Sequence, residues 1–276
     1  MDEPFAEYRE VGAADPLRQG DVLEAVEPGA TMWQQHLLVM TADCDFAHAK
    51  HQGRVTCVPL LAAEEYLSEM QIPKIRARLA KPQVSEIRQI LSKYPAPTIS
   101  DRRLREWASE EEPSDIVKML ELQQADAQRA MAAFEAIRTM DTPTDNLEEG
   151  IRLLVEAQLS APNPPKRQNA VKRVMDKLRE PYTQPPGDAL FLTAISPGQD
   201  EGYFAYLRHI EQIWEPDISL GPSHREVTYR RISRMRDRFT HALVQRFAMV
   251  FMSIGLPHQY EEHRDLHADL LGGKYA

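Results

Sequence analysis

GDVLEAVEPGATMWQQHLLVMTADCDFAHAKHQGRVTCVPLL, residues 20–61, contains three short apolar runs separated by turn-forming residues. Gly20-Asp21 precedes the first, Val22–Val26, and Glu27-Pro28-Gly29 closes it. His36–Thr41 is the second run and Arg54–Leu61 the third, with the polar stretch 42–53 between them. Runs this short, bounded by Gly, Pro and Asp, predict buried strands rather than helices. The same texture returns near the other end of the chain. Ala189–Ser196 and Tyr203–Ile210 flank the turn-rich 197–202, which is a hairpin signal, and Val227–Ile232 predicts one more strand. The opening fifteen or so residues lack periodicity and are expected to be loosely ordered.

From Ala62 the period changes. Segments 62–70, 74–80 and 84–93 read as helices separated by Pro73 and Pro82 and closed by Pro95 and Pro97. A longer helix is expected after Pro113, where Ser114 or Asp115 can cap the free first-turn amides. Its stripe is Ile116, Leu120, Ala127, Ala130, Phe134 and Ile137, with Gln123 the polar exception. Another helix spans 145–159, with Asp145 and Glu148 at capping-box spacing. The next follows Pro164-Pro165, with Val171, Val174, Met175 and Leu178 inward, and Pro181, Pro185 and Pro186 end the helical section. A last helix, 236–254, places Phe239, Leu243, Phe247, Val250 and Ile254 inward and stops at Gly255-Leu256-Pro257. Strands at both ends and helices between them predict an α+β fold. A small sheet or barrel is built from 1–61 and 182–276, interrupted by a helical insertion over 62–181 and closed by the final helix.

Composition narrows the classes. No run approaches the ~20 apolar residues that a membrane span needs, and the acidic start MDEPFAEYRE shows no secretory signal. Two cysteines, Cys44 and Cys57, make no disulfide framework, so a cytoplasmic setting is expected. The net charge of -9 argues against a chain that coats nucleic acid. Two basic islands interrupt the acidic body. Residues 225–246 hold seven arginines against Glu226 and Asp237, and residues 166–180 hold six basic residues against Asp176 and Glu180. Either island can bind phosphate or an acidic partner, or pair within the chain.

Three clusters are candidates for chemistry. Thr41-Ala42-Asp43-Cys44-Asp45 lies where the second apolar run ends in a polar loop. Asp43 and Asp45 could hold a cation, or Cys44 could act as a nucleophile with His48, His51 or His209 as base. Adjacent carboxylates are poor surroundings for a thiolate. The alternative is that Cys44 packs as a small hydrophobe while the aspartates brace the turn. Cys57, inside an apolar strand, is core. The second cluster runs from Arg230 and Arg231 through Arg234, Arg236 and Arg238 to His241, a nucleic-acid or partner surface. Within it, Arg236 and His241 form an R-x4-H arrangement similar to that of HEPN-type ribonucleases, which implies phosphate handling. The third is His263 and His267, four apart and so on one helical face, beside His258, Glu262, Asp265 and Asp269, as a weak metal candidate. No phosphate-cradling glycine loop is present, and no cofactor is expected.

The first sixty residues resemble the PemK/MazF-like toxin barrel, a small SH3-like fold. The parallel rests on Gly20-Asp21-Val22, Leu37–Thr41 and Val55–Leu60, with Pro59 near the end of the last. That resemblance implies RNA cleavage. The sequence departs from it where the toxins carry an arginine and a proline, since Gln35 and His36 stand there, and in the helical insertion. The whole chain is more similar to uncharacterised bacterial proteins with a G-D strand start, a T-x-x-C-D loop, a helical middle and a final G-L-P. Proteins of this kind are associated with phage-defence loci. The expected function is an accessory or adaptor protein binding another protein subunit, with nucleic-acid binding or ribonuclease action through 225–246 as the alternative.

Overall fold

The computed structural model describes residues 5–94, 99–221, 226–252, 258–260, 262–264, 266 and 267. Pro95, Pro97, Arg225, Ile254, Gly255, Leu256, Pro257, Asp265 and Asp269 lie outside them. The first section comprises β1 Tyr8–Arg9, β2 Asp21–Ala25, α1 Met32–Gln35, β3 His36–Val39, α2 Asp43–Ala47 and β4 Arg54–Ala62. The helical section begins with α3 Ala63–Tyr66 and a π-helical turn, Leu67–Gln71. It continues through α4 Ile72–Leu91, α5 Asp101–Glu110, α6 Pro113–Met119, α7 Gln124–Asp141, α8 Leu147–Ser160 and α9 Arg167–Thr183. Then come β5 Ala189–Leu192, β6 Tyr203–Tyr206, β7 Glu211–Trp214, β8 Ile218–Ser219, β9 Tyr229–Met235 and α10 Asp237–Met252.

The strands form one curled sheet in the order β1-β9-β2-β3-β4-β6-β5, antiparallel except where β8 runs parallel to β9. The long β4 makes the curl. Arg54–Cys57 pair with β7 and Leu60–Ala62 pair with β6, so one strand serves two neighbours along its length. The chain is thus α+β, a half-barrel with a helical insertion and a final helix. Val22, Leu38, Val58, Leu60, Met235 and Leu243 pack on one face of the sheet, which places α10 against it. Leu23, Leu37, Val39, Val55 and Cys57 pack on the other, and burial pushes the Cys57 thiol up. The period-two alternation of each strand directs neighbouring residues to opposite cores.

The insertion has a core of its own, drawn entirely from Leu67–Leu178. It meets the half-barrel through aromatic rings. Tyr66 stacks on Phe204 at 4.0 Å, and Tyr182 and Phe191 lie edge-on or tilted to the same ring at 5.4 and 5.2 Å.

Several expectations are corrected. Pro73 and Pro82 do not divide the helices. Pro73 directly follows the π-helical turn in a helical run that continues through it, and Pro82 lies on the exposed side of a helix held by buried Ala80, Val84 and Ile87. Pro181 likewise falls inside α9, so the helix ends after it. The long helix after Pro113 is two helices, α6 and α7, because Glu121 takes a left-handed φ of 49° between them. Ile116, Ala130, Phe134 and Ile137 are nevertheless all buried. The α8 cap is Asn146, which accepts the Glu149 N–H at 2.9 Å, rather than Asp145. A helix at 101–110, capped by Ser100, was not expected at all. Residues 7–9 are anchored rather than loose. Tyr8 and Arg9 pair with Met235 and Arg234, and the buried Glu7 carboxylate accepts the Thr193 N–H at 2.8 Å.

Gly20 is required where it stands. Its φ is +88°, and an added Cβ would fall 2.4 Å from Thr240 Oγ1 on α10. Gly20→Ala is expected to cost about 2 kcal/mol from the left-handed backbone and the displaced Thr240. An unchanged urea midpoint would contradict this.

Candidate functional site

The arginine-rich strand converges on the buried carboxylate of Asp21, and the Thr41–Asp45 loop, far away in sequence, is linked to it through Arg18. Arg234 grips it through Nε and through Nη2 at 3.0 Å, and Arg231 Nη1 reaches it at 3.3 Å. Both guanidinium groups are buried. Residues three apart on a strand ordinarily face opposite ways. Here Val22 pairs with Ser233 and Leu23 with Arg231, so Ile232 is an extra residue on β9, and this bulge turns both arginines to one side. Arg231 Nη1 and Nη2 and Arg234 Nη2 also donate to the carbonyls of Gly12, Pro16 and Leu220, which ties the N-terminal segment to the barrel, while the buried Arg231 Nε has no partner.

Arg18 continues the network outward. Its N–H donates to Asp21 at 2.9 Å, and its guanidinium pairs with Asp43 at 2.6 Å. Asp43 also accepts the Gln19 N–H at 2.9 Å. Partial burial pushes the Asp43 carboxyl up, but the bonds from Arg18 and Gln19 and the nearby Arg18 and Arg234 charges outweigh it and hold it below the ordinary carboxylate range. Thr41 Oγ1 accepts the Thr56 N–H at 2.7 Å, bracing β4. Cys44 is exposed, its thiol 3.7 Å from Asp45 Oδ1. His51 is committed elsewhere: Nε2 bonds to Glu215 at 2.8 Å and Nδ1 to the Asp45 carbonyl at 3.2 Å. Thr41 and Asp43 therefore act as braces.

Both partners of His51 are acceptors, so the imidazolium, with two N–H donors, satisfies both at once. The hydrogen bonds to Glu215 and Asp45 raise its pKa above the ordinary value. A raised folded pKa contributes stability that is fully present below the unfolded value of about 6.5 and is lost as pH rises through the folded one. His51→Gln is expected to flatten this pH dependence of the urea midpoint between slightly acid and alkaline conditions. An identical slope in both proteins would refute it.

The other candidates disperse. Arg231 and Arg234, expected at a partner surface, face inward. Arg230 lies at the surface and pairs with Glu24, Nε to Oε2, at 2.6 Å. Arg236 Nε donates to the Tyr8 carbonyl, just before α10. Arg238 and His241 are exposed in the first two turns of α10. His263 and His267 are helical and exposed, and no group of three metal-ligating side chains occurs among the described residues. Among these residues, no helix is long and apolar enough to cross a membrane.

The island at 166–180 behaves differently. Lys172 and Lys177 pair along α9 with Asp176 and Glu180, but Arg167, Arg173 and Arg179 make no ion pair among the described residues. The buried stripe of α9 is Ala170, Val174, Leu178 and Pro181. Val171 lies about 100° around the helix from Ala170, and it is 38% exposed rather than inward as expected. Met175 is half-buried. Arg167, Val171, Met175 and Arg179, each four apart, form one line along the outer face. An apolar pair bracketed by unneutralised arginines can cover a partner's apolar residues and attract its carboxylates.

Comparison with known protein families, curated proteins and solved structures finds no match. In the sequence Asp21 stands out only as part of the Gly20-Asp21 strand opening, and Arg18 and Glu215 are not singled out. The available signal was the carboxylate opening an apolar strand, which requires a cation once that strand is buried.

Proposed function

We propose that this chain is an accessory subunit of a bacterial defence or toxin-like system, holding a protein partner on its helical insertion. The outer line of α9 carries the proposal: a basic, partly apolar surface on a rigid helix, raised on a separately cored insertion. The half-barrel is the scaffold. Support against the nucleic-acid alternative comes from the 225–246 island, where Arg231 and Arg234 are buried against Asp21 and so do not reach a phosphate backbone.

The test is capture from the native host with the tagged chain, with and without nuclease treatment. A stoichiometric protein partner is expected, retained after nuclease and reduced at least tenfold in an R167E/R173E/R179E variant. Recovery of nucleic acid alone, released steeply with salt, would transfer the assignment to the alternative.

A further inference from the structure

The insertion holds a second site, away from the outer line of α9. A cavity of about 290 Å³ lies between α4, the connection from α8 to α9 and α9 itself, and its polar wall includes Glu86, Gln158, Asn163 and Arg173. Gln158 is 7% exposed. Its Nε2 donates to the carbonyls of Leu154 at 3.1 Å and Ala170 at 3.4 Å, so turning the amide over would set its oxygen against two acceptors. Held this way, Gln158 Oε1 is buried without a partner. A buried carbonyl without a donor is destabilising and calls for one. Pro82, Pro162 and Pro165 in the wall have no N–H to supply it. Glu86 adds a second acceptor. It pairs with Arg129 through Oε1, and its Oε2 accepts no hydrogen bond among the described residues. Arg173 is the converse, an exposed cation with no ion pair among the described residues. It lies about 200° around α9 from Val171, and so off the docking line.

We propose that this cavity binds a free amino acid. The ligand ammonium donates to Gln158 Oε1 and to the free Glu86 oxygen, since an ammonium carries three N–H donors and no acceptor. The ligand carboxylate pairs with the Arg173 guanidinium, whose planar fork of donors suits it. The volume is that of about ten waters, room for a small amino acid and below the range of cavities that hold drug-sized molecules. Leu79 and the three prolines give the ligand side chain an apolar wall. Gln158 Oε1 is covered over, and the connection 161–166, which has no helix or strand, shifts to admit the ammonium. The site goes beyond the partner surface and does not depend on it.

Titration calorimetry of the full-length chain with each common free amino acid tests this, followed by the N-acetyl and methyl-ester forms of any that binds. Saturable one-to-one binding of at least one amino acid is expected. Acetylation removes the ammonium and esterification removes the carboxylate charge, and each is expected to weaken binding by about tenfold or more. Q158L is expected to weaken it to the same degree, and R173M to abolish the preference for the free acid over its ester. R173M alters an exposed residue and decides the matter if Q158L does not fold. V171D/M175D is expected to bind as the wild type does. No binding by any amino acid at about 10 mM, well above a millimolar dissociation constant, overturns the proposal. Binding that survives both acetylation and esterification, or that both Q158L and R173M leave unchanged, overturns it as well.

Discussion

Asp21→Asn is expected to destabilise the protein by about 3–5 kcal/mol, because a buried carboxylate would vanish from between two buried guanidinium groups. Domains of this kind have total stabilities of about 5–15 kcal/mol, so the loss is a large fraction of the whole. The asymmetry matters more than the worth of the pair. Removing one member leaves the others desolvated and uncompensated, whereas exposed pairs contribute about 0–1 kcal/mol. Asp43→Asn, which breaks the half-exposed pair with Arg18, is accordingly expected to cost much less. Urea denaturation of both variants checks the ranking. Equal losses would mean that Asp21 is not the anchor of the clasp.

Phe134→Ala is the second large effect. Its ring is fully buried at the centre of α7, edge-on to Trp107, and α7 packs against α4, α5, α6 and α8. Truncation removes the ring and leaves a cavity that four helices cannot close without shifting, at a cost of about 3–5 kcal/mol. The insertion core shares no residue with the sheet cores, so the loss is expected to appear there first. Limited proteolysis should cut within 67–178 while the half-barrel persists. Simultaneous loss of both parts would show that the aromatic joint at Phe204 couples them into one cooperative unit.

Legibility in the sequence followed the range of the interactions concerned. The strands β2, β3 and β4, the hairpin β5–β6 and the helix α10 were visible because alternation and turn residues are local signals. Pro82 and Pro181 misled because tertiary packing held their helices through a local break. The split between α6 and α7 turned on one left-handed residue, Glu121, whose identity does not announce it. The loop at Thr41–Asp45 and the arginine-rich strand were recognised as unusual, but the convergence of Arg231 and Arg234 on Asp21 depends on a bulge at Ile232 that no local pattern marks, and the link to the loop runs through Arg18. Basic content alone could not say which island was turned inward. Burial of Arg231 and Arg234, set against the exposure of Arg167 and Arg179, separated them.

The central claim is that the outer face of α9 holds a protein partner. Its most direct test is capture from the native host with the wild-type chain and with V171D/M175D, each confirmed as folded by its melting temperature. The account predicts a stoichiometric partner with the wild type and loss of at least ten-fold with the variant. Equal recovery of that partner by both proteins would contradict it.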